Sequence, residues 1–258
     1  HRIMKLSSIL DKAGSEALLT PDELMVLLTA DKNGSRALYS AADAVRKKYM
    51  GDAIFLRGII EFSNHCRRDC NYCGIRCSNK TIHRYRIEPD EILDICKILE
   101  KSGITTVVLQ SGEDTYYTAE RIGLLISEIK KKTGLAVTLS VGERDKDTYE
   151  FWRTQGMDRF LLRFESANRS LYKECHPDGD FDKRITSLRT LQRIGVQTGS
   201  GFLIGIPGET LKDIADDILF CTRLDLDMIG VGPVIPHEQT PFHFRHNPFT
   251  PDIFFKTM

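Results

Sequence analysis

Three cysteines stand close enough along the chain to share one inorganic group. They are Cys66, Cys70 and Cys73, in the run Ile60-Glu61-Phe62-Ser63-Asn64-His65-Cys66-Arg67-Arg68-Asp69-Cys70-Asn71-Tyr72-Cys73-Gly74. Thiolates are the usual ligands of iron–sulfur clusters. A tight C-x3-C-x2-C loop can offer three of them to one cube and leave its fourth iron open. An open iron can chelate a ligand through an amine and a carboxylate, so such a loop is a reaction site, whereas a four-cysteine cluster chiefly carries electrons. Cys77 follows closely and keeps two other readings open, a four-thiol zinc site and a closed electron-transfer cluster. Zinc sites usually pair one C-x2–4-C with a second pair well downstream, which gives the chain room to wrap a tetrahedron. Four ligands packed into residues 66–77 are poor geometry for that.

The other cysteines carry less information. Cys96 shares a helical apolar stripe with Ile92, Ile95 and Leu99, and Cys221 follows Ile214 and Ile218, so both read as small core residues. Cys175 lies in the polar stretch 173–180 and receives no role. Seven cysteines, most of them clustered, do not read as the spread, paired framework of a small secreted domain.

The elements that must hold this loop begin after a polar-faced helical region, residues 4–50, in which Thr20-Pro21-Asp22-Glu23 is a helix start. From residue 53 short β-rich runs alternate with amphipathic helices. Strands are expected at Ile54–Phe62, Thr105–Gln110, Ala136–Val141, Arg159–Phe164, Val196–Ile204 and Met228–Val231, with helices near 89–102, 118–132, 145–155, 180–194 and 210–224. Gly103, Gly134, Gly156 and Gly195 sit where helix C-termini want positive φ. This alternation calls for a parallel sheet with right-handed crossovers, and its punctuation favours a (βα) TIM-type barrel over a doubly wound sheet. Six βα units are visible, so the barrel is partial or its last units lie beyond Met258. The organisation expected is an N-terminal helical extension (1–52), a barrel core (53–241) and a C-terminal segment (242–258). The cysteine loop follows the first strand, at the barrel mouth where such folds keep their chemistry.

Composition excludes little. Over 258 residues Lys+Arg and Asp+Glu balance at 36 each, so no net field favours nucleic acid or an anionic membrane. No apolar run approaches the ~20 residues of a membrane span, and a cytoplasmic location is expected.

C-x3-C-x-aromatic-C after a first strand resembles the signature of the radical S-adenosylmethionine (SAM) superfamily. That resemblance implies a full or partial (βα) barrel and a [4Fe–4S] cluster on Cys66, Cys70 and Cys73. The implied activity is reductive cleavage of S-adenosyl-L-methionine to methionine and a 5′-deoxyadenosyl radical. It places Tyr72 against the adenine. Gly112 and Glu113, in Leu109–Asp114, would hold the methionine amino group, with Ser111 where the family has a first glycine. Glu165 would accept the ribose hydroxyls, Arg184 would pair with the SAM carboxylate, and Ser140 and Ser166 complete the cofactor set. The stretch from Gly199 to Thr210 resembles the family's Gly-x-Ile-x-Gly-x-x-Glu, its Glu209 shifted by the extra Pro207, and its glycines would let backbone approach the adenosine. Read from residues only, Gly112-Glu113 fits equally an ammonium site at a strand end and a polar loop closing that strand, and Arg184 reads as a solvated helix charge.

Within the superfamily the likeness is greatest to the HydE family of [FeFe]-hydrogenase maturases, in the group with biotin synthase and methylornithine synthase. It rests on the pieces 59–64, Arg84-Tyr85-Arg86, 109–114 with Tyr116-Tyr117, 138–143, 161–168 and 229–241. This implies assembly of the diiron subcluster, a cysteine-bound iron–carbonyl–cyanide substrate, an electron donor such as ferredoxin or flavodoxin, and other maturases as partners. Ser111, Ser140 and Arg163 are the candidate substrate contacts, Arg163 because a guanidinium fork takes a carboxylate bidentately. No cysteine follows Cys221, so this chain gives no ground for claiming the second, C-terminal cluster that some members carry. A methylornithine synthase-like or biotin synthase-like enzyme is the alternative within the superfamily, and an iron–sulfur electron-transfer protein the alternative of another class.

Overall fold

A computed structural model describes residues 5–245 and 251–258. Six strands form one parallel sheet: β1 (Gly58–Ser63), β2 (Thr106–Ser111), β3 (Ala136–Ser140), β4 (Arg159–Leu161), β5 (Gln197–Ile204) and β6 (Met228–Pro233). Their spatial order equals their chain order. A doubly wound sheet reverses its strand order at a switch point. An unreversed run of right-handed crossovers keeps every helix on one face and bends the sheet toward a barrel. The crossover helices are α4 (Pro89–Lys101), α5 (Ala119–Lys132), α6 (Lys146–Gln155), α8 (Phe181–Arg193) and α9 (Leu211–Leu224), preceded by α1 (Leu6–Gly14), α2 (Pro21–Leu28) and α3 (Lys32–Met50).

Four of the βα loops end on a side chain that opens the next helix, while α4 starts at Glu88 without a side-chain cap. Thr118, Asp145, Asp180 and Thr210 accept backbone N–H groups of Arg121, Thr148, Lys183 and Asp213. These caps, each worth about 1 kcal/mol, fix where those four loops at the sheet's C-terminal edge must finish. β2 runs as Thr-Val-Val-Leu with all four residues buried, the near-continuous apolar pattern of a strand covered on both faces. The expected helix start at Thr20 is a full capping box with Glu23. It aims Leu24, Leu27 and Leu28 into the main core, where α2 packs on α9.

Three local expectations need correction. The first strand starts at Gly58 rather than Ile54, because Ile54, Phe55 and Leu56 lie past the end of β2 and stand 87%, 66% and 68% exposed. Gly103, Gly156 and Gly195 have positive φ, but Gly134 does not. There α5 stops through an extended Thr133 whose hydroxyl donates to the Ile129 carbonyl. A short helix, α7 (Arg169–Cys175), stands in the loop after β4, capped by Asn168. It buries Cys175 with Leu171, Leu203, Ile206 and Phe242 in a small second core beneath Tyr72. The β5 glycines serve strand contact: a Cβ at Gly201 would lie 1.8 Å from the Gly230 carbonyl oxygen, and one at Gly199 would meet Leu161 and Met228. Cys96 and Cys221 are buried core residues, as their stripes imply. No described helix is long and apolar enough to cross a membrane.

Candidate functional site

The cysteine loop leaves β1 and is brought back by residues 84–87. An antiparallel bridge joins Ser63 to Arg86, and the Ile87 N–H donates to the Phe62 carbonyl. Within the loop Arg84 is a central strut. Its guanidinium donates to the carbonyls of Asn64, Ile75, Arg76 and Asn79, gathering distant turns onto one planar fork. Asp69 grips Arg76 through two bonds of 2.8 and 2.7 Å. A second clamp comes from outside, where the Asn71 N–H donates to the Cys175 carbonyl and the Phe242 N–H to the Asn71 carbonyl. Phe242, in the tail segment that the sequence left unassigned, is therefore part of the loop's seat.

This scaffold turns Cys66, Cys70 and Cys73 toward one pocket of about 270 Å³. Cys77 lines an adjoining depression with His65, Arg67, Lys80, Arg84 and Arg86, which Cys66, Glu113 and Asp114 also border. Cys70 and Cys73 do not line it, and Cys77 does not line the main pocket. Each of the three pocket sulfurs faces a nitrogen. Cys66 accepts from the N–H groups of Arg68 and Glu113 at 3.4 Å, Cys73 from that of Ile75, and Cys70 stands 3.1 Å from Nδ1 of His176. Burial pushes all three thiols above the ordinary cysteine range. Without a metal they would therefore be neutral, and a cation that coordinates sulfur would draw the protons off. A single tetrahedral ion would gather sulfurs to within roughly 4 Å of one another, and no group of three or more candidate ligands is gathered for one ion among the described residues. Three thiols around a pocket suit a cluster with its own bulk.

The other walls come from the ends of β2, β3 and β4. Ser111 ends β2 and Gly112 and Glu113 follow it, Ser140 ends β3, Arg163 and Glu165 follow β4, and Arg184 reaches in from α8; with Tyr72 they line the same pocket. A charged network ties them together. Glu113 accepts from Arg67 at 2.9 Å, Arg68 at 2.8 Å and the Glu143 N–H at 3.0 Å. Burial works against its charge, but that N–H and the two guanidiniums prevail and hold its carboxyl below the ordinary range. Arg184 is buried and donates from Nε to Glu143 at 2.5 Å and from Nη1 to the Arg163 carbonyl. It is no solvated helix charge. Tyr72 donates its hydroxyl to Glu165 at 3.0 Å. Glu165 itself holds φ of 63°, a left-handed conformation costing about 1 kcal/mol or more for a residue with a Cβ. It is held there by its N–H on the Gly201 carbonyl and its own carbonyl under the Leu203 N–H.

Ser166 does not join this wall. It is fully buried on the helix side, its hydroxyl directed 3.4 Å from Asp217 of α9, because the turn at Glu165 reverses which side chain faces inward. Residues that sequence reasoning missed are Arg68, Arg84, Glu143 and His176. Glu143 was within reach as a carboxylate just past a strand's C-terminal end. The others act through partners far away in the chain.

Asp217 and Glu209 add a pH dependence. Burial pushes each carboxyl up to about 8. Folded chains then keep protons that unfolded chains release above pH ~4, so the stability tied to these groups is complete below that pH and is lost as pH rises through about 8. Urea unfolding should show stability falling from pH 5 to 8, and Asp217→Asn should flatten that fall.

Comparison with known proteins agrees with this geometry. The Radical SAM superfamily profile matches residues 60–221. The [FeFe] hydrogenase maturase subunit HydE of Thermotoga maritima is 47% identical over 211 residues, 82% of this chain and 60% of that protein. The 3-methylornithine synthase of Methanosarcina barkeri is 32% identical over 92% of this chain and 68% of its own length. Among solved structures, methylornithine synthase (PylB) superposes with a TM-score of 0.89 at 30% identity, covering 96% of this chain and 77% of that one. The maturase HydG shares the fold, with a TM-score of 0.86 at 22% identity. The chain thus spans about three fifths of the HydE it matches.

Proposed function

The chain belongs to the radical SAM superfamily, and from that premise we propose that it reductively cleaves S-adenosylmethionine during assembly of the diiron subcluster of an [FeFe] hydrogenase. The observation that carries the reading is the convergence of Cys66, Cys70 and Cys73 on one pocket whose far wall is Gly112, Glu113, Glu165 and Arg184. Those three thiols would hold a [4Fe–4S] cluster, leaving one iron for SAM. When bound, cluster and SAM together supply an electron to the sulfonium and, by C5′–S cleavage, a 5′-deoxyadenosyl radical.

The chain's own residues bind and orient. Glu113, kept ionised by its arginines, offers negative charge to the methionine ammonium, and Arg184 offers positive charge to the carboxylate. Glu165 is set to accept ribose hydroxyls, with Tyr72 steadying it and leaning toward the adenine. Ser111, Ser140 and Arg163 face the remaining space. Arg163 is anchored by donating from Nη2 to the Phe202 carbonyl at 2.5 Å and by pairing from Nε with Glu165 at 3.1 Å; its remaining positive charge would serve an anionic substrate such as a cysteine-bound iron unit. The stretch 64–86 carries Arg67, Arg68, Arg76, Lys80, Arg84 and Arg86 against Asp69, a local excess in a chain of zero net charge. That excess supports an acidic electron donor of the ferredoxin or flavodoxin kind.

The test is anaerobic reconstitution followed by EPR of the reduced protein with and without SAM. A change of signal on adding SAM is expected; an unchanged signal would mean a closed cluster and an electron carrier. Co-expression with a hydrogenase that lacks this maturase should then restore hydrogen production, whereas methylornithine formation without it would favour the rival activity. Gly112→Ala should also cut iron content severalfold with far-UV dichroism unchanged. Its Cβ would lie 2.3 Å from the His65 carbonyl oxygen and 2.7 Å from the Cys66 Cβ, so the thiol must move.

A further inference from the structure

His176 belongs to no set of residues assigned above, yet it touches the cysteine loop more closely than any other side chain of the α7 region. It closes the C-terminus of α7, is 4% exposed, and is held between Tyr172, 4.8 Å away between ring centres, and Tyr72, 5.6 Å away. The backbone fixes it further, since its N–H donates to the Tyr172 carbonyl and its carbonyl accepts from Gly179. Asn71, next to Cys70, is bonded to the carbonyls of Glu174 and Cys175 at 2.7 and 2.9 Å. Ring and sulfur are therefore positioned by the same short helix end, and the 3.1 Å between Nδ1 and the Cys70 sulfur is a built contact. Cys66 and Cys73 receive backbone N–H groups; Cys70 receives a side chain.

We infer that His176 donates a hydrogen bond from Nδ1 to the Cys70 sulfur and thereby raises the reduction potential of the cluster. The inference rests on the reading that Cys66, Cys70 and Cys73 hold that cluster. A metal-bound thiolate has only acceptor capacity, so the nitrogen facing it must carry the proton. That assigns the bare lone pair to Nε2, which is buried without a hydrogen-bond partner, and a neutral ring cannot donate from both nitrogens. One-electron reduction adds one negative charge, spread in part onto the thiolates. A donor aimed at sulfur stabilises the reduced state more than the oxidised one.

EPR-monitored potentiometric titration of the anaerobically reconstituted chain, with dithionite as reductant, tests this. His176→Leu should make reduction roughly tenfold less favourable, a fall of about 59 mV for a one-electron couple. His176→Asn, whose amide nitrogen falls near the Nδ1 position, should restore most of the difference, at equal iron per chain. An unchanged midpoint in His176→Leu, or an equal fall in His176→Asn, would overturn the inference. If His176→Leu holds no cluster, His176→Gln replaces it, because its donor lies farther out; equal midpoints for the Asn and Gln variants would overturn the inference. A wild-type chain that binds no iron would sink the site reading and this inference with it.

Discussion

Cys66→Ala, Cys70→Ala and Cys73→Ala should each reduce bound iron and the visible charge-transfer absorbance to near zero after anaerobic reconstitution, and Cys77→Ala should leave both within error of wild type. The contrast follows from where the sulfurs point. Three open onto the pocket that also holds Gly112, Glu113, Glu165 and Arg184, while the fourth lines only the adjoining depression that Cys66 borders from its other side. Two thiolates do not secure a cube, so the loss should be all-or-none rather than graded. Formation of 5′-deoxyadenosine should disappear with the iron in the first three variants and persist in the fourth. Iron loss in Cys77→Ala would overturn the three-thiol assignment and restore the four-ligand readings.

The second large effect is on stability. Arg184→Met should destabilise the chain by about 3–5 kcal/mol, the cost of stranding one member of a buried ion pair. Arg184 and Glu143 side chains are 9% and 4% exposed, so water cannot replace the lost partner. Arg68, 3.2 Å from the other Glu143 oxygen, compensates in part and sets the result toward the lower figure. The melting temperature should fall by on the order of 10 °C. Adding Glu143→Gln removes the stranded charge, so the double variant should lose less than the two single losses added. Simple additivity would mean that the two residues do not act as a pair.

What could be read before any coordinates depended on how local each determinant is. The strand–helix alternation, the helix start at Thr20 and the cysteine spacing are written within a few residues, and all reappear in the fold. The apolar run Ile54–Leu56 was misread because periodicity reports side-chain type and not whether a neighbouring strand extends that far. α7 was missed since seven residues ending before Pro177 barely make a periodic signal, although Asn168 was a legible cap. The site divides in the same way. Tyr72 and Glu165, Glu143 and Arg184, Cys70 and His176 lie 93, 41 and 106 positions apart, and no spacing rule links such partners. The resemblance brought Arg184 and Glu165 to the pocket. Nothing in it distinguished Ser166, because a single left-handed residue before it decides which way it faces.

The way Arg84 ties four backbone carbonyls together has a bearing on the order of events in biogenesis. A loop braced by its own side chains needs no metal to set its path, so the inorganic core is expected to enter a mould that the folded chain already provides. Small zinc modules behave oppositely, since their metal is what makes them fold. Stripping this protein with a chelator should therefore bleach it without melting it, and recharging should need only iron and sulfide, with no refolding.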